Sequence, residues 1–519
     1  MLRRRPARSA RPLFAYADST GRSLRKLAPL AAAAAFAAGS FAADAASAQG
    51  QRRPQRQPAR VSQAPAPAQG GARIDQQSVE AVARAEQKYR AGDFDGVVQE
   101  ADAALRLNDQ THQAYYFRGS AKVELGLKRG DTEMIRAGIA DAREAISLGG
   151  RTNSKYYLPY LYGMTNLGMI ESREEHAQVA VQTADTVLQR ENLDADTKGN
   201  LLYQRALAKR YQKDTDGAVA DFTAALEVLP NHLASASERA NTLQADGTPE
   251  QAREAFDQMV AAFPENPLVY NNRGMFLLNQ GDADAASADF TRALEQNPNY
   301  FYALTNRGKT ALDRGDVTAA IADFDASLKA NPGQPGVYGF RGNAKLFAGD
   351  LAGAVADQQM AVKESPTNPI AHSDLGFVLF FAGQYDQALA QFDAALRLAP
   401  GFRHLHPWRL EALTTLGRNA SEDPGVTLAL DNGGNGVDWV VRLLQFQLGR
   451  LTGEELLSKI SDTDPKAAAA QTCEANYFIG RARQRAGDAA GAAEAYRVSL
   501  ESDQKQLSAY RGAKIALGE

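Results

Sequence analysis

Six prolines stand 34 residues apart, and this spacing restricts the possible fold more than any other feature of the sequence. They are Pro230, Pro264, Pro298, Pro332, Pro366 and Pro400. Two sets of small residues recur at the same interval. They are Ala206, Ala240, Gly274, Gly308, Gly342 and Gly376, and then Ala218, Ala252, Ala286, Ala320, Ala354 and Ala388. A fixed period of this length predicts a chain made of one repeated supersecondary unit, in which each copy packs on its neighbours.

Each repeated unit has the pattern of two helices joined by a tight turn. Positions 4, 7, 8 and 11 of the unit follow the spacing of one helix face, and positions 20, 24 and 27 do the same on a second helix. Pairs such as Gly281-Asp282 supply a chain reversal followed by a helix N-cap. The proline near the end of the unit stops the second helix. Because one hairpin cannot cover its own apolar face, the units are expected to stack.

This helix-turn-helix unit resembles the tetratricopeptide repeat, which also has a period of 34 residues. The small residues take its positions 8 and 20, the prolines take position 32, and an aromatic ring takes position 24. The rings are Phe222, Phe256, Phe290, Phe324 and Phe392. Only Gln358 departs from the pattern at that position. The resemblance implies an all-α fold, a right-handed superhelical solenoid of stacked hairpins.

The repeat pattern continues on both sides of its most regular part. Six regular repeats fill residues 199–402, and degenerate hairpins are expected over residues 73–198. The period is interrupted over residues 403–472, where we expect an irregular helical insertion. A final repeat and a capping helix are expected over residues 473–519.

The tail carries a second resemblance. The runs from Gly449 to Leu457 and from Glu474 to Gly480 look like the C-terminal module of bacterial cell-envelope tetratricopeptide proteins of the lipoprotein-like group. That resemblance implies an adaptor for envelope hydrolases and proteases. This chain departs from the group because it has no lipobox cysteine near its expected cleavage site, which puts lipid anchoring in doubt.

Residues 1–48 have the order of a secretory signal peptide. Basic residues precede an apolar run from Leu27 to Ala38, and small residues follow up to Ala48. The run is rich in alanine and weakly hydrophobic for a permanent span, which needs about 20 apolar residues. We expect cleavage after Ala48 and export to the periplasm or cell envelope of a bacterium. Because the basic leader is long, an uncleaved membrane anchor is the alternative.

Residues 49–72 are rich in Gln, Pro and Arg and contain no acidic residue. A segment with so few large apolar side chains cannot bury a core, so we expect a disordered tether. A second hypothesis makes it a basic arm that weakly contacts anionic envelope polymer or lipid, an attraction that salt would weaken.

Charge and cysteine content exclude several classes of partner and site. The chain has 58 basic and 61 acidic residues, a formal net charge of −3, which gives no bulk attraction for nucleic acid. Its single cysteine, Cys473, excludes an intramolecular disulfide framework and multi-cysteine metal sites. We expect other proteins or peptides as partners and no cofactor.

The sequence contains no visible constellation of catalytic residues that would support an enzyme. His404 and His406 beside Trp408 resemble half of a metal site, but a second pair of ligands is missing, so a packing or loop role is favoured. The run after Asp431 lacks the acidic ligands of a calcium loop. Phosphate-binding loops and nucleophile elbows are absent from the sequence. An autonomous enzyme would need a site hidden in residues 403–472.

Arginine recurs at position 7 of the unit, and wherever it does an acidic residue usually stands at position 23 of the same unit. Because the antiparallel hairpin sets these positions close together, we predict two-pronged ion pairs with a structural role. The predicted pairs in the regular repeats are Arg205–Asp221, Arg273–Asp289, Arg307–Asp323 and Arg341–Asp357. An anion-binding arginine ladder is the functional alternative, which the neutralising partners argue against.

The tetratricopeptide resemblance places ligands in a concave groove lined by the first helix of each repeat. The candidate groove residues are Asn272, Asn306, Lys309, Phe340, Asn343, Phe347, Phe377 and Phe381. Polar amides come first along the chain, and phenylalanines follow. The phenylalanines are expected either to form an apolar slot for a partner helix or peptide, or to pack between repeats.

The sequence therefore predicts an exported, non-catalytic scaffold that binds peptides or proteins and assembles or localises envelope complexes. The alternative is a membrane-anchored regulatory subunit or adaptor of an envelope hydrolase, protease or secretion machine.

Overall fold

The computed structural model describes residues 69–419, 422–431 and 438–518. These residues form α-helices joined by short turns, and they divide into two compact units between Phe276 and Leu277. The signal peptide predicted over 1–48 and most of the tether predicted over 49–72 lie outside the described residues. The first described helix begins at Gln69, so the end of the predicted tether is helical.

The first unit is built of successive antiparallel helical hairpins. Its helices are α1 (Gln69–Arg90), α2 (Phe94–Leu107), α3 (His112–Arg129), α4 (Thr132–Gly149), α5 (Tyr157–Glu171), α6 (Glu174–Leu188), α7 (Ala195–Tyr211), α8 (Thr215–Val228), α9 (Leu233–Asp246), α10 (Pro249–Ala262) and α11 (Pro267–Asn279), within which the division falls. Helices α1 to α6 form hairpins over the segment where the repeat pattern is weak.

The second unit continues the same pattern and then departs from it. Its helices are α12 (Ala283–Gln296), α13 (Phe301–Asp313), α14 (Val317–Ala330), α15 (Pro335–Phe347), α16 (Leu351–Glu364), α17 (Pro369–Phe381), α18 (Tyr385–Leu398), α19 (His406–Thr415), α20 (Pro424–Asp431), α21 (Trp439–Gln447), α22 (Gly453–Leu457), α23 (Pro465–Arg485), α24 (Ala489–Glu501) and α25 (Ser508–Leu517). Helix α23 begins before the predicted repeat start at residue 473, because Asp464 caps it ahead of Pro465 and a run of alanines.

The turns inside the hairpins follow the predicted chemistry. Gly281, Gly315 and Gly349 adopt positive φ angles of 80° to 85°, which glycine reaches at little cost. The aspartate after each of them then caps the second helix of the hairpin. Asp282, for example, accepts a hydrogen bond from the backbone N–H of Ala285 at 3.1 Å. The Gly-Asp pair therefore ends one helix and starts the next.

Small residues are needed where paired helices meet. A Cβ atom at Gly376 would lie 2.6 Å from the ring of Phe392, and one at Gly308 would lie 2.9 Å from the ring of Phe324. Both rings are fully buried. The glycine at position 8 and the ring at position 24 are thus complementary, which explains why both recur with the repeat.

In three of the four predicted pairs, the arginine at position 7 binds the carboxylate at position 23 with two hydrogen bonds. Arg341 holds both oxygens of Asp357, at 2.6 and 2.8 Å. Arg205 and Arg307 do the same, with Asp221 and Asp323 respectively. The predicted pair Arg273–Asp289 spans the division between the two units and stays a prediction.

The same arginines also reach back to the preceding repeat, which the sequence analysis missed. Nη1 of Arg341 donates to Asp325 at 2.6 Å, sixteen residues earlier. The pairs Arg273–Asp257, Arg307–Thr291 and Arg409–Asp393 repeat this spacing. Each of these arginines therefore fastens its own repeat to the second helix of the one before it.

Glu124 on α3 is a buried carboxyl group of the first unit, only 2% exposed. Burial raises its pKa to about 7, against the opposing charge of Lys128. Below that pH the folded chain keeps a proton that the unfolded chain releases at lower pH. Stability should therefore fall as the pH rises from about 5 towards 8.

Glu124→Gln is expected to raise the free energy of unfolding by roughly 2 kcal/mol at pH 8 and to change it little at pH 5. Urea denaturation at the two pH values, followed by circular dichroism, measures the difference. Glu133→Gln is the control, because the Glu133 side chain is exposed. Equal effects of both substitutions at pH 8 would contradict the assignment.

Among the described helices, none is both long and apolar enough to cross a membrane.

Candidate ligand cavity

A cavity of about 400 Å³ opens in the second unit at the one regular repeat that lacks the buried ring. Gln358 on α16 stands at the position taken by phenylalanine in the other regular repeats. Facing it on α15, Gly336 and Gly339 have no side chains to fill the space. We call this space the Gln358 cavity. Its lining residues are Lys309, Gly336, Gly339, Phe340, Asn343, Phe347, Gln358, Ala361, Ser365, Asn368, Ile370, Ala371, Asp374, Gln506 and Arg511.

Gln358 is fully buried, and its amide is only half satisfied. Nε2 donates to the backbone carbonyl of Gly339 at 3.1 Å and to Oδ1 of Asn343 at 3.3 Å. Within the described part of the chain, Oε1 accepts no hydrogen bond. Since an unsatisfied buried acceptor costs about 1–3 kcal/mol, a ligand that donates to this oxygen would recover that energy.

Two aromatic rings form walls of the cavity, and a cationic side chain lies over each ring. Nζ of Lys309 lies 4.9 Å from the centre of the Phe340 ring, and the guanidinium carbon of Arg511 lies 5.8 Å from that of Phe347. Burial lowers the pKa of Lys309. These contacts hold the cations at the cavity beside apolar surface.

Asp374 is the acidic group of the lining. Burial raises its pKa to about 6, while the charge of Arg511 and a hydrogen bond from Asn343 oppose the shift. Asn343 thus contacts both Asp374 and Gln358, so the polar groups of the lining form one connected set.

The C-terminal helix α25 completes the cavity, which sequence reasoning did not foresee. It brings Arg511 against the first helices of repeats more than 130 residues earlier, and Gln506 lies just before it. Gly512 allows this approach, because a Cβ atom there would lie 2.6 Å from Tyr477 and 2.9 Å from Phe381. Ile515 packs in the same cluster as Phe381 and Val378.

The candidate groove residues divide between the cavity and the core. Lys309, Phe340, Asn343 and Phe347 come together in the lining. Asn306 lies half-buried on α13 outside the lining, and Asn272 belongs to the first unit.

Phe377 and Phe381, expected either to form an apolar slot or to pack between repeats, do not line an open slot. Phe377 is 3% exposed and packs edge-on against Phe392 and Trp408. Phe381 packs on Trp408, and α25 lies against it. The rings fill the space between the regular repeats and the tail, so their role is packing.

In the part of the chain that the structure describes, no three histidine, cysteine or acidic side chains are grouped as a metal ion would require. Burial lowers the pKa of His404 and of His406 to about 4. Cys473 is buried, and burial raises the pKa of its thiol. A buried thiol whose pKa is raised stays protonated at neutral pH and is not a reactive nucleophile.

Known proteins resemble the chain through its repeats. Models of the tetratricopeptide repeat match residues 203–267, 237–301, 271–335, 305–369 and 369–402. No curated protein shows significant similarity to the chain.

Solved structures resemble parts of the chain. The pilF protein of Pseudomonas aeruginosa shares 22% identity over 40% of this chain and 94% of its own, with a TM-score of 0.36. PilW, a widely conserved type IV pilus biogenesis factor, shares 23% identity over 42% of this chain and 97% of its own, with a TM-score of 0.33. A tetratricopeptide repeat protein of Parabacteroides merdae shares 18% identity over 48% of this chain and 94% of its own, with a TM-score of 0.35. Likenesses this partial carry no function across.

The repeat matches do carry a general function, because tetratricopeptide repeats are in general non-catalytic modules for protein interaction, and no enzyme family is indicated. The matched residues are the same ones in which the proline period, the buried rings and the hairpins coincide. Residues 203–402 are therefore tetratricopeptide repeats, and the described residues form an all-helical fold built from stacked hairpins.

Proposed function

We propose that this protein is an exported, non-catalytic scaffold that captures a partner protein at the Gln358 cavity and assembles or localises envelope complexes. The observation that carries the proposal is the cavity itself, which opens in the regular repeat that has glutamine in place of the phenylalanine found in the others. A packed repeat array has no structural need for an unfilled space with an unsatisfied polar group.

Export is supported by the order of charges and apolar residues in the leader. Basic residues, the apolar run Leu27–Ala38 and a small-residue site ending at Ala48 follow one another as in a secretory signal. Edman sequencing of the protein recovered from the periplasm of its bacterium should give an N-terminus at residue 49. An intact leader in the membrane fraction would instead support the alternative, an anchored regulatory subunit or adaptor of an envelope hydrolase, protease or secretion machine.

Ile370→Glu is expected to abolish partner capture while leaving the fold intact. Ile370 lines the cavity and is 44% exposed, so a carboxylate there reaches solvent without disturbing the core. Tagged wild-type and variant proteins are incubated with envelope extract, and the retained proteins are identified by mass spectrometry. A specific partner should appear with the wild type at stoichiometric level and be lost with the variant.

Leu428→Glu serves as the matched control, because Leu428 is an exposed apolar residue of the same unit that lies outside the lining. It should capture the same partner as the wild type. Capture that both variants lose equally, or that neither loses, would contradict binding at the cavity.

A further inference from the structure

We propose that the Gln358 cavity receives one aromatic side chain bearing a hydrogen-bond donor, a tryptophan or tyrosine, from an acidic segment of the partner protein. This inference rests on the proposed function and names the chemistry of the partner.

The cavity opens at the position where the repeat pattern lacks its ring. In the preceding repeat Phe324 is fully buried at the position of Gln358, and Tyr302 and Thr305 stand where the next repeat has Gly336 and Gly339. Gln358 in place of the ring and two glycines in place of side chains together leave about 400 Å³. This volume lies in the range of pockets for small ligands, about 300–1,000 Å³, and it suits a large side chain better than a folded element.

A donor on the incoming ring is required by the orientation of the Gln358 amide. Nε2 is already engaged by Gly339 and Asn343, which fixes Oε1 as the group left to accept. A Cβ atom at Gly339 would lie 3.9 Å from Oε1, so this oxygen lies beside the space that the glycine leaves open. The indole N–H of tryptophan and the hydroxyl of tyrosine are donors on large rings, whereas phenylalanine and leucine offer none.

The walls of the cavity favour an aromatic guest. Phe340 and Phe347 supply ring surface, and Ala361, Ala371 and Ile370 supply aliphatic surface. Rings packed edge-on or offset gain binding energy beyond the burial of their area. Aromatic anchors seated in such pockets are the residues that dominate binding energy at protein interfaces.

The charges of the lining favour acidic residues beside the anchor. Lys309 and Arg511 are cationic, and Asp374 is the acidic group that opposes them. Both cations are half-buried, so their attraction for a flanking carboxylate is screened less than that of fully exposed groups. A protein segment is favoured over a free aromatic metabolite because the cavity opens beside exposed residues, Gly336, Ile370 and Gln506, and is built into protein-binding repeats.

The test uses the full chain and five synthetic peptides, with dissociation constants measured by isothermal titration calorimetry. The reference peptide is acetyl-Glu-Glu-Trp-Glu-Glu-amide. Tyrosine should bind within several-fold of tryptophan, whereas phenylalanine and 1-methyltryptophan, which lack the donor, should bind about tenfold or more weakly. The peptide with lysines in place of the glutamates should bind more weakly than the reference peptide, and added salt should reduce the difference in affinity between these two peptides.

Gln358→Phe restores the ring found in the other regular repeats, so this variant is expected to fold and to be at least as stable as the wild type. Its affinity for the reference peptide should be at least about tenfold lower than that of the wild type, because the added ring occupies the site. Gln359→Leu is the matched control: its glutamine is adjacent and exposed, and the substitution should change nothing.

Equal affinities for the tryptophan and 1-methyltryptophan peptides, unchanged binding to Gln358→Phe, or no measurable binding of either donor-bearing peptide at millimolar concentration would each overturn this inference. The proposed function is tested separately, since Ile370→Glu can abolish capture of a natural partner whatever that partner inserts. Loss of capture with no peptide preference would therefore leave the scaffold function standing and remove the aromatic anchor.

Discussion

Replacing Glu411 by alanine is expected to lower the free energy of unfolding of the second unit by about 3–5 kcal/mol, since it strands buried charge. The Glu411 side chain on α19 is fully buried. Nε of Arg481 donates to its Oε1 at 3.0 Å, Arg485 donates to the same oxygen, and Nε2 of Gln447 donates to Oε2 at 3.2 Å. Without the carboxylate, two half-buried guanidinium groups lose their acidic partner.

Urea denaturation monitored by circular dichroism and by hydrogen exchange of α19, α21 and α23 measures this effect. Exchange is included because a long repeat protein does not have to unfold in one step. Glu411→Gln keeps hydrogen-bonding capacity without the charge and should fall between the wild type and the alanine variant.

Glu494→Ala is the control for the Glu411 experiment. Glu494 pairs with Arg497 at 3.3 Å, and both side chains are at least 60% exposed, so its loss should cost at most about 1 kcal/mol. Equal losses of stability for Glu411→Ala and Glu494→Ala would show that Glu411 does not join the tail to the repeats.

Asp357→Ala is expected to cost about 3 kcal/mol, whereas Asp325→Ala should cost at most about 1 kcal/mol. Both carboxylates bind the same arginine, Arg341, so the comparison sets the buried pair inside the hairpin against the exposed pair between repeats. The Asp357 side chain is 5% exposed and also holds Lys345 at 2.9 Å, while the Asp325 side chain is 55% exposed. Thermal denaturation of the two single variants measures the difference.

The double variant Asp357→Ala with Arg341→Leu provides a further check. Removing the arginine as well relieves the unpaired charge, so the double variant should regain part of the stability lost by Asp357→Ala. If Asp357→Ala and Asp325→Ala destabilise the protein equally, the ion pairs inside the hairpins are not the stronger set.

The regular repeats could be predicted because their determinants are local in sequence. A hairpin is decided by residues within one period of 34, where proline, glycine, aspartate and the buried ring each have a fixed place. The contact between position 7 and position 23 also lies inside one unit, and its residues vary together. The contact between Arg341 and Asp325 joins one repeat to the preceding one, and it was not predicted although its spacing of 16 residues recurs.

The cavity was predicted in part. Lys309, Phe340, Asn343 and Phe347 follow from the position of groove residues in the repeat, and the structure places all four in the lining. Gln358 was visible as a departure from the pattern, which is the signal that could have located the cavity. Arg511 carried no such signal, because its approach depends on how α25 folds back.

Phe377 shows the limit of periodicity most clearly. Its position in the repeat is that of a groove residue, yet Trp408 and Phe392 enclose it. Trp408 belongs to α19, outside the regular repeats, and it gathers Phe377, Phe380, Tyr477 and Phe478 into one cluster. Periodicity identifies which face of a helix a residue occupies, but it cannot tell whether a distant segment covers that face.

The sequence by itself determined the repeated unit, its turns, its core positions and the ion pairs inside three of the regular hairpins, because these depend on contacts between residues close along the chain. Only the tertiary structure decided where the groove is filled and where it stays open. That outcome depends on Glu411, Trp408 and Gly512, whose partners lie as many as 131 residues away along the chain. Packing of the tail against the repeats closes one part of the groove with aromatic rings and leaves the Gln358 cavity beside it.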